Sequence, residues 1–296
     1  MEALLLNNVV DPFEEAVAYE TLWAINGMTE KKLSELFKFS KSLPSQVLQK
    51  QKGLIPSEEI LDIENAVREF LEKKQKQFSV CIYGDYQYPE SLRKAHHPIE
   101  LFYYKGNLDL LQTRSVSVVG ARKVSPQGIS RSTRLSKELV EAGFTIVSGL
   151  AQGVDTAAQK SAIENKGQTI GTIGTPIDSY YPKENKELQN LIAEDHLLIS
   201  QVPFYRYANE HFANHRLYFP RRNVTMAAIS EATIIVEASD TSGSLTQARA
   251  CISQNKKLFI LDSCFKNKEI TWPANYVKQG AIRVTCTSDI LKVLNP

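Results

Sequence analysis

Between residues 115 and 261, short runs rich in Val and Ile alternate with longer amphipathic stretches, and this alternation constrains the fold more than any other feature of the chain. Residues 115–119, 144–148, 168–173, 197–200, 233–237 and 257–261 read as strands. Residues 127–142, 156–165, 184–193, 223–230 and 243–254 read as the helices between them. Strands separated by helices of this length pair in parallel, with helices on both faces, so the chain is read as α/β with a mostly parallel, doubly wound sheet. Right-handed crossovers then place the carboxyl ends of the parallel strands on one rim, where ligands of such sheets bind.

The region upstream is different. Ala16, Tyr19, Leu22 and Trp23, then Leu33, Leu36 and Phe37, then Ile60, Ile63, Val67, Phe70 and Leu71 recur at helical spacing. Gly27 and Thr29 look like a turn and an N-cap between two helices. A charged stretch, 72–77, closes this region, so a small all-α domain over 1–76 is expected to precede the α/β domain over 77–296.

Several classes drop out early. With 43% hydrophobic and 23% charged residues, the 296-residue chain has the composition of a folded protein rather than a disordered one. Its apolar runs are far shorter than the roughly 20 residues that span a bilayer, and Met1 to Asn8 lacks a basic n-region. No membrane insertion is expected, and the cytoplasm is the expected compartment. Cys81, Cys251, Cys264 and Cys286 form no C-x-x-C pair, and His211 and His215 lack further ligands at metal spacing, so no metal is expected. Neither G-x-x-x-x-G-K-[ST] nor G-x-G-x-x-G occurs, so no nucleotide cofactor is expected.

The informative residues follow the strands. They are Gly120-Ala121-Arg122-Lys123-Val124-Ser125, Ser148 to Asp155, Gly174 to Asn185, Tyr218 to Asn223, and Glu237 to Thr246. Small residues let backbone amides approach an anion, and three of these segments lead into helix N-termini, whose free N–H groups favour negative charge. Although the net charge is only +2, the stretch from Arg114 to Arg134 holds Arg114, Arg122, Lys123, Arg131 and Arg134 and no acid. Tyr180, Tyr181, Tyr205, Tyr207, Tyr218 and Phe219 are interleaved with Lys183, Arg206, Arg216, Arg221 and Arg222, a mixture suited to stacking bases while pairing phosphates.

In order along the chain, G-A-R-K-V-S, S-G-L-A-Q-G-V-D-T-A-A, D-S-Y-Y-P-K-E-N, F-P-R-R-N and V-E-A-x-x-x-S-G-S-L-T resemble the motifs of the DNA-processing protein A family (DprA/Smf). The lead-in from Tyr83 through Tyr86 to Leu92, with Pro98 and residues 101–106, matches too, and the helical region resembles the SAM-like domain that often precedes this core. The resemblance implies an extended Rossmann-like domain that binds single-stranded DNA, forms a homodimer, protects incoming DNA and loads the recombinase RecA during natural transformation or recombination.

Carried over position by position, the resemblance assigns DNA or phosphate binding to Gly120, Arg122 and Ser125, and to Ser148, Gly149, Gly153 and Asp155; Lys123 joins them as a cation on the same predicted rim. The resemblance assigns the same role to Lys183, Asn185, Arg222, Asn223, Ser242, Gly243 and Ser244, and the basic rim adds Arg221. Pro176, Gln201 and Asp262-Ser263 depart from the family pattern, and no winged-helix module is expected after residue 285.

The alternative is a nucleotide-binding sensor, or an enzyme acting on nucleoside monophosphates, of the lysine-decarboxylase-like Rossmann class. Those enzymes carry a catalytic Glu in P-G-G-x-G-T-x-x-E, whereas the corresponding Thr241 to Gln247 has no acid in the first helical turn. Asp155, Asp178, Glu237 and Asp240 are the remaining carboxylates such chemistry would draw on. The favoured reading is therefore a non-catalytic DNA-binding protein.

Overall fold

The structure, a computed structural model, describes residues 10–38, 42–53, 57–85, 87–94 and 99–295. Tyr86 and Pro98 of the lead-in motif and the Met1 to Asn8 segment lie outside the described residues. The strands are β1 (Ser79–Ile82), β2 (Leu101–Gly106), β3 (Ser115–Val119), β4 (Thr145–Ser148), β5 (Thr169–Ile173), β6 (Leu197–Ser200), β7 (Ala232–Ile235), β8 (Lys257–Leu261) and β9 (Ile282–Val284). They form one sheet in the order β1-β2-β6-β5-β4-β3-β7-β8-β9. From β6 to β9 every neighbouring pair is parallel, while β2 runs antiparallel to both β6 and β1.

Strand periodicity explains the layering. In β3, Val116 and Val118 point to one face and pack with Leu135 and Leu139 of the helix Pro126–Glu141 and Ala158 of the helix Val154–Glu164. Ser115, Ser117 and Val119 point to the other face, toward the helix Tyr218–Ile229. There the Ser115 hydroxyl donates to the Ile229 carbonyl at 3.0 Å, and Ser117 shares a 2.7 Å hydrogen bond with Ser230. Two serines in a fully buried strand are thus satisfied by the end of the covering helix. Among the described residues, no helix is long and apolar enough to cross a membrane.

Two differences from the sequence reading matter for the site. The helix expected from Asn223 begins at Tyr218, because Pro220 lies in its first turn, where the missing N–H has no intrahelical partner to lose. Phe219, Arg221 and Arg222 therefore sit on a helix rather than in a loop. The edge strand β9 is only Ile282–Val284, too short to show a period in the sequence.

The helices Pro12–Ala24, Glu30–Lys38, Pro44–Lys52 and Ser57–Glu72 pack around Leu22, Phe37, Ile60 and Leu71, and the same apolar cluster continues through Ile82, Leu101, Tyr103, Leu198 and Phe204 onto the sheet. Inside this junction lies Glu20, fully buried on the first helix. It accepts hydrogen bonds from the Phe204 amide (2.6 Å), the Tyr205 amide (3.0 Å) and the Tyr103 hydroxyl, and burial pushes its carboxyl up to about 7. Because this folded-state value lies above the unfolded value of 4.5, the proton stabilises the native state at low pH, and that stability fades as pH rises through 7. Relative to Glu20→Gln, which imitates the protonated acid, the wild-type protein should lose on the order of 3 kcal/mol of unfolding free energy between pH 5 and pH 8. Urea titrations of both proteins across that range check this, and parallel pH profiles would refute it.

Candidate nucleic-acid interface

The chain runs outward from β3 through β4 and β5 to β6, then returns to the other side of β3 as β7. This places a topological switch point between β3 and β7, where the two loops leaving their carboxyl ends diverge and open a crevice. A cleft of about 920 Å³ lies there, lined by the Gly120 to Lys123 turn, Ser125, Arg222, Asn223, Glu237 and the Ser242 to Ser244 turn. The sequence reading brought most of these residues to one rim, and the structure gathers them in one cleft.

Several cleft residues also hold the fold together. Ser125 caps the helix Pro126–Glu141, its hydroxyl accepting from the Gly128 amide at 3.0 Å. The same hydroxyl donates to Glu237 at 2.6 Å, and the Ser125 amide donates to the other Glu237 oxygen at 2.8 Å. Glu237 thereby ties the loop after β7 to the loop after β3. Gly153, at φ +81°, starts the helix Val154–Glu164, and a Cβ there would stand 2.4 Å from the Ala121 carbonyl oxygen. Asn223 donates to the Gly243 carbonyl at 2.9 Å, and Ser242 and Ser244 share a 2.6 Å hydrogen bond, so the last turn is braced from two sides.

Arg122 and Lys123 are exposed at the cleft mouth, and neither has an ion pair among the described residues. The Arg122 guanidinium lies 5.5 Å from the ring centre of Phe219 and 5.9 Å from that of Tyr181. Those two rings are 5.2 Å apart. Arg122 lines both the large cleft and a smaller hollow that includes Tyr181, Pro182 and Gly149. The sequence reading placed Phe219 only among the interleaved aromatics. Its partnership with Arg122 joins segments almost a hundred positions apart, and local sequence carries no signal for it. The other cations of the basic stretch are engaged: Arg114 with Glu231, Arg131 with Glu237 at 3.9 Å, and Arg134 with Glu138 at 3.7 Å.

Other assigned residues are mostly buried, or face away from the large cleft. Ser148 is fully buried, its hydroxyl donating to the Val118 carbonyl at 2.7 Å. Asn185 donates to the Leu150 carbonyl and to the Thr156 hydroxyl, both at 2.8 Å, and so anchors the loop after β5 to the loop after β4. Arg222 is 5% exposed; it donates to the carbonyls of Gly149 and Thr172 and to the Asn223 side chain. Gly149 has no Cβ because one would stand 1.9 Å from the Arg222 guanidinium. Buried Asp155 accepts from the Gly149 amide at 3.1 Å. Burial raises the Asp155 carboxyl and lowers the Arg222 guanidinium from their usual values, and the charge of each partly offsets the shift of the other. Arg221 turns away from the cleft, pairing with Glu30 at 2.8 Å and lying over Trp23. Lys183 is exposed in the turn after Pro182 but does not line the large cleft.

Residues 79–295 match the family model described as DNA recombination-mediator protein A. The DNA processing protein DprA of Streptococcus pneumoniae is 35% identical over 221 residues, 75% of this chain and 76% of that protein. The X-ray structure of DprA from Streptococcus pneumoniae superposes with a TM-score of 0.75 at 29% identity, covering 96% of this chain and 98% of that one. DNA processing protein A of Helicobacter pylori, for which a single-stranded DNA binding mode is described, matches with a TM-score of 0.61 at 27% identity over 74% of this chain and 95% of that one. With the family match running from β1 to the last helix and the cleft residues inside it, this chain belongs to the DNA recombination-mediator protein A family.

Proposed function

We propose that the protein binds single-stranded DNA without catalysing a reaction on it, protects incoming strands and hands them to a RecA-type recombinase during natural transformation or recombination. It does so in the cytoplasm as a homodimer. The observation that carries this reading is Arg122: an exposed cation with no ion pair among the described residues, held against Tyr181 and Phe219 at the mouth of the cleft. Cations pair with phosphates and aromatic faces stack on bases, so this arrangement suits an unpaired strand. The described binding mode of the Helicobacter pylori relative supports the same ligand.

The four carboxylates singled out for nucleotide chemistry each hold a structural contact. Glu237 binds Ser125, Asp155 accepts from Gly149, Asp178 pairs with Lys74, and Asp240 accepts from the Thr271 and Trp272 amides.

The test is a titration of the purified protein with labelled single-stranded DNA, duplex DNA and nucleoside monophosphates at several salt concentrations, with light scattering on the same samples. The expected result is a dimer mass, preference for the single strand and affinity that falls steeply with salt. Saturable binding of a nucleotide with no binding of DNA would overturn the reading. A recombinase-nucleation assay on coated strands then tests the handover.

A further inference from the structure

Beyond the cleft, the segment between β6 and the helix Tyr218–Ile229 carries aromatic side chains that contact one another in series. Tyr218 precedes Phe219 on the helix, and its ring lies 5.7 Å from that of Tyr207. Tyr207 stacks on His215 with centroids 3.6 Å apart and planes 13° from parallel. His215 meets the edge of Phe212 at 5.3 Å, and its ring nitrogen hydrogen-bonds the Tyr207 carbonyl at 2.9 Å, which fixes the stack. Tyr181, which meets Phe219 at the Arg122 cluster, is near enough to Tyr207 to act electrostatically on its hydroxyl.

The outer end of the series is bare. Phe212 is 81% exposed, more than any other large hydrophobic side chain among the described residues, and Tyr181 is 48% exposed. A lone phenylalanine at the surface needs no explanation, but this one ends a braced aromatic stack whose inner end, Tyr218, is buried beneath Arg221 on the side of Trp23 and Glu30. Around it the charge is positive: Arg216 is exposed with no ion pair among the described residues, and Glu210 is held by Arg206 at 3.5 Å.

We infer that Phe212, backed by His215 and Tyr207, is a stacking platform for nucleobases that extends the path of a single strand beyond the Arg122 cleft. The occupant is a single-stranded nucleic acid rather than a protein. Exposed Tyr181, beside Arg122 and near Tyr207, is the link between the cleft mouth and the stack; stacked rings supply sequence-tolerant base contacts, and Arg216 supplies a phosphate partner. The proposal rests on the single-strand reading above, so its test must separate the two.

Wild-type protein, Phe212→Ala, Phe212→Trp and Arg122→Ala are titrated with labelled oligothymidines of roughly 6 and 20 nucleotides, and with a 20-nucleotide strand carrying abasic sites. Phe212→Ala should bind the long strand about tenfold more weakly, with an unchanged salt slope, and should bind the abasic and short strands as the wild type does. Phe212→Trp should keep the affinity and show fluorescence quenching on binding, against a background of the buried Trp23 and Trp272. If Arg122→Ala weakens binding while Phe212→Ala leaves the long strand unaffected, the platform is overturned and the cleft reading stands. Absence of any DNA binding by the wild-type protein overturns both. Phe212 is too exposed for its substitution to disturb folding, so a change in affinity reports contact.

Discussion

Arg222→Met should lower stability by about 3–5 kcal/mol, a fall of roughly 10 °C in Tm, rather than simply weaken ligand binding. The substitution keeps an unbranched side chain of similar length, so little volume is lost. What disappears is the donor set: the Gly149 and Thr172 carbonyls and the Asn223 side-chain oxygen each lose a hydrogen bond inside the protein. Asp155 keeps its bond from the Gly149 amide but loses the buried positive charge that offsets its desolvation. The deficit should therefore shrink as pH falls, because protonated Asp155 carries no charge to compensate. Adding Asp155→Asn to Arg222→Met should recover part of the loss, a coupling that thermal or urea unfolding of the two single variants and the double variant measures. Wild-type stability in Arg222→Met together with lost DNA affinity would return Arg222 to the role its sequence position suggests.

Arg221 and Arg222 show where the sequence was legible and where it stopped being so. The strand and helix alternation was readable because buried parallel strands need Val and Ile throughout while the covering helices need only one apolar stripe. From it followed the shared rim and hence the gathering of Gly120, Ser125 and Gly243 in one cleft. Two adjacent arginines in F-P-R-R-N looked equivalent. Once Tyr218 to Ile229 is a helix, successive side chains point about 100° apart. One arginine reaches Glu30 on the helical region, and the other plugs the interior beneath Gly149. Similarly, the excess of base between Arg114 and Arg134 looked like a patch because two of its neutralising acids, Glu231 and Glu237, lie more than a hundred positions away and the third, Glu138, lies just past its end. Charge patterning along a chain reports only local balance; which cations remain available is decided by the tertiary pairing. Ser148 and Asn185 illustrate the same limit from the polar side, since a buried, satisfied hydroxyl or amide is indistinguishable in sequence from an exposed one.

That sorting of cations gives the second large expectation. Arg122→Ala should weaken single-strand binding by about 10- to 100-fold and reduce the dependence of log K on log salt by roughly one, and Lys123→Ala and Lys183→Ala should each remove about one unit of slope. Arg221→Ala, despite its place in the motif, should leave the slope unchanged, because its charge is already matched by Glu30 at 2.8 Å. Arg122→Lys separates two parts of the role. A lysine keeps the charge and therefore the slope, but its compact ammonium cannot lie flat against Phe219 and Tyr181 or grip a phosphate with two parallel hydrogen bonds. Affinity should fall in Arg122→Lys with the slope preserved, whereas a purely electrostatic role predicts no loss. Titrations between about 50 and 300 mM salt distinguish these outcomes. If Arg221→Ala lowered the slope while Arg122→Ala did not, the strand would have to run along the face toward the helical region, and the cleft at the switch point would no longer be its site.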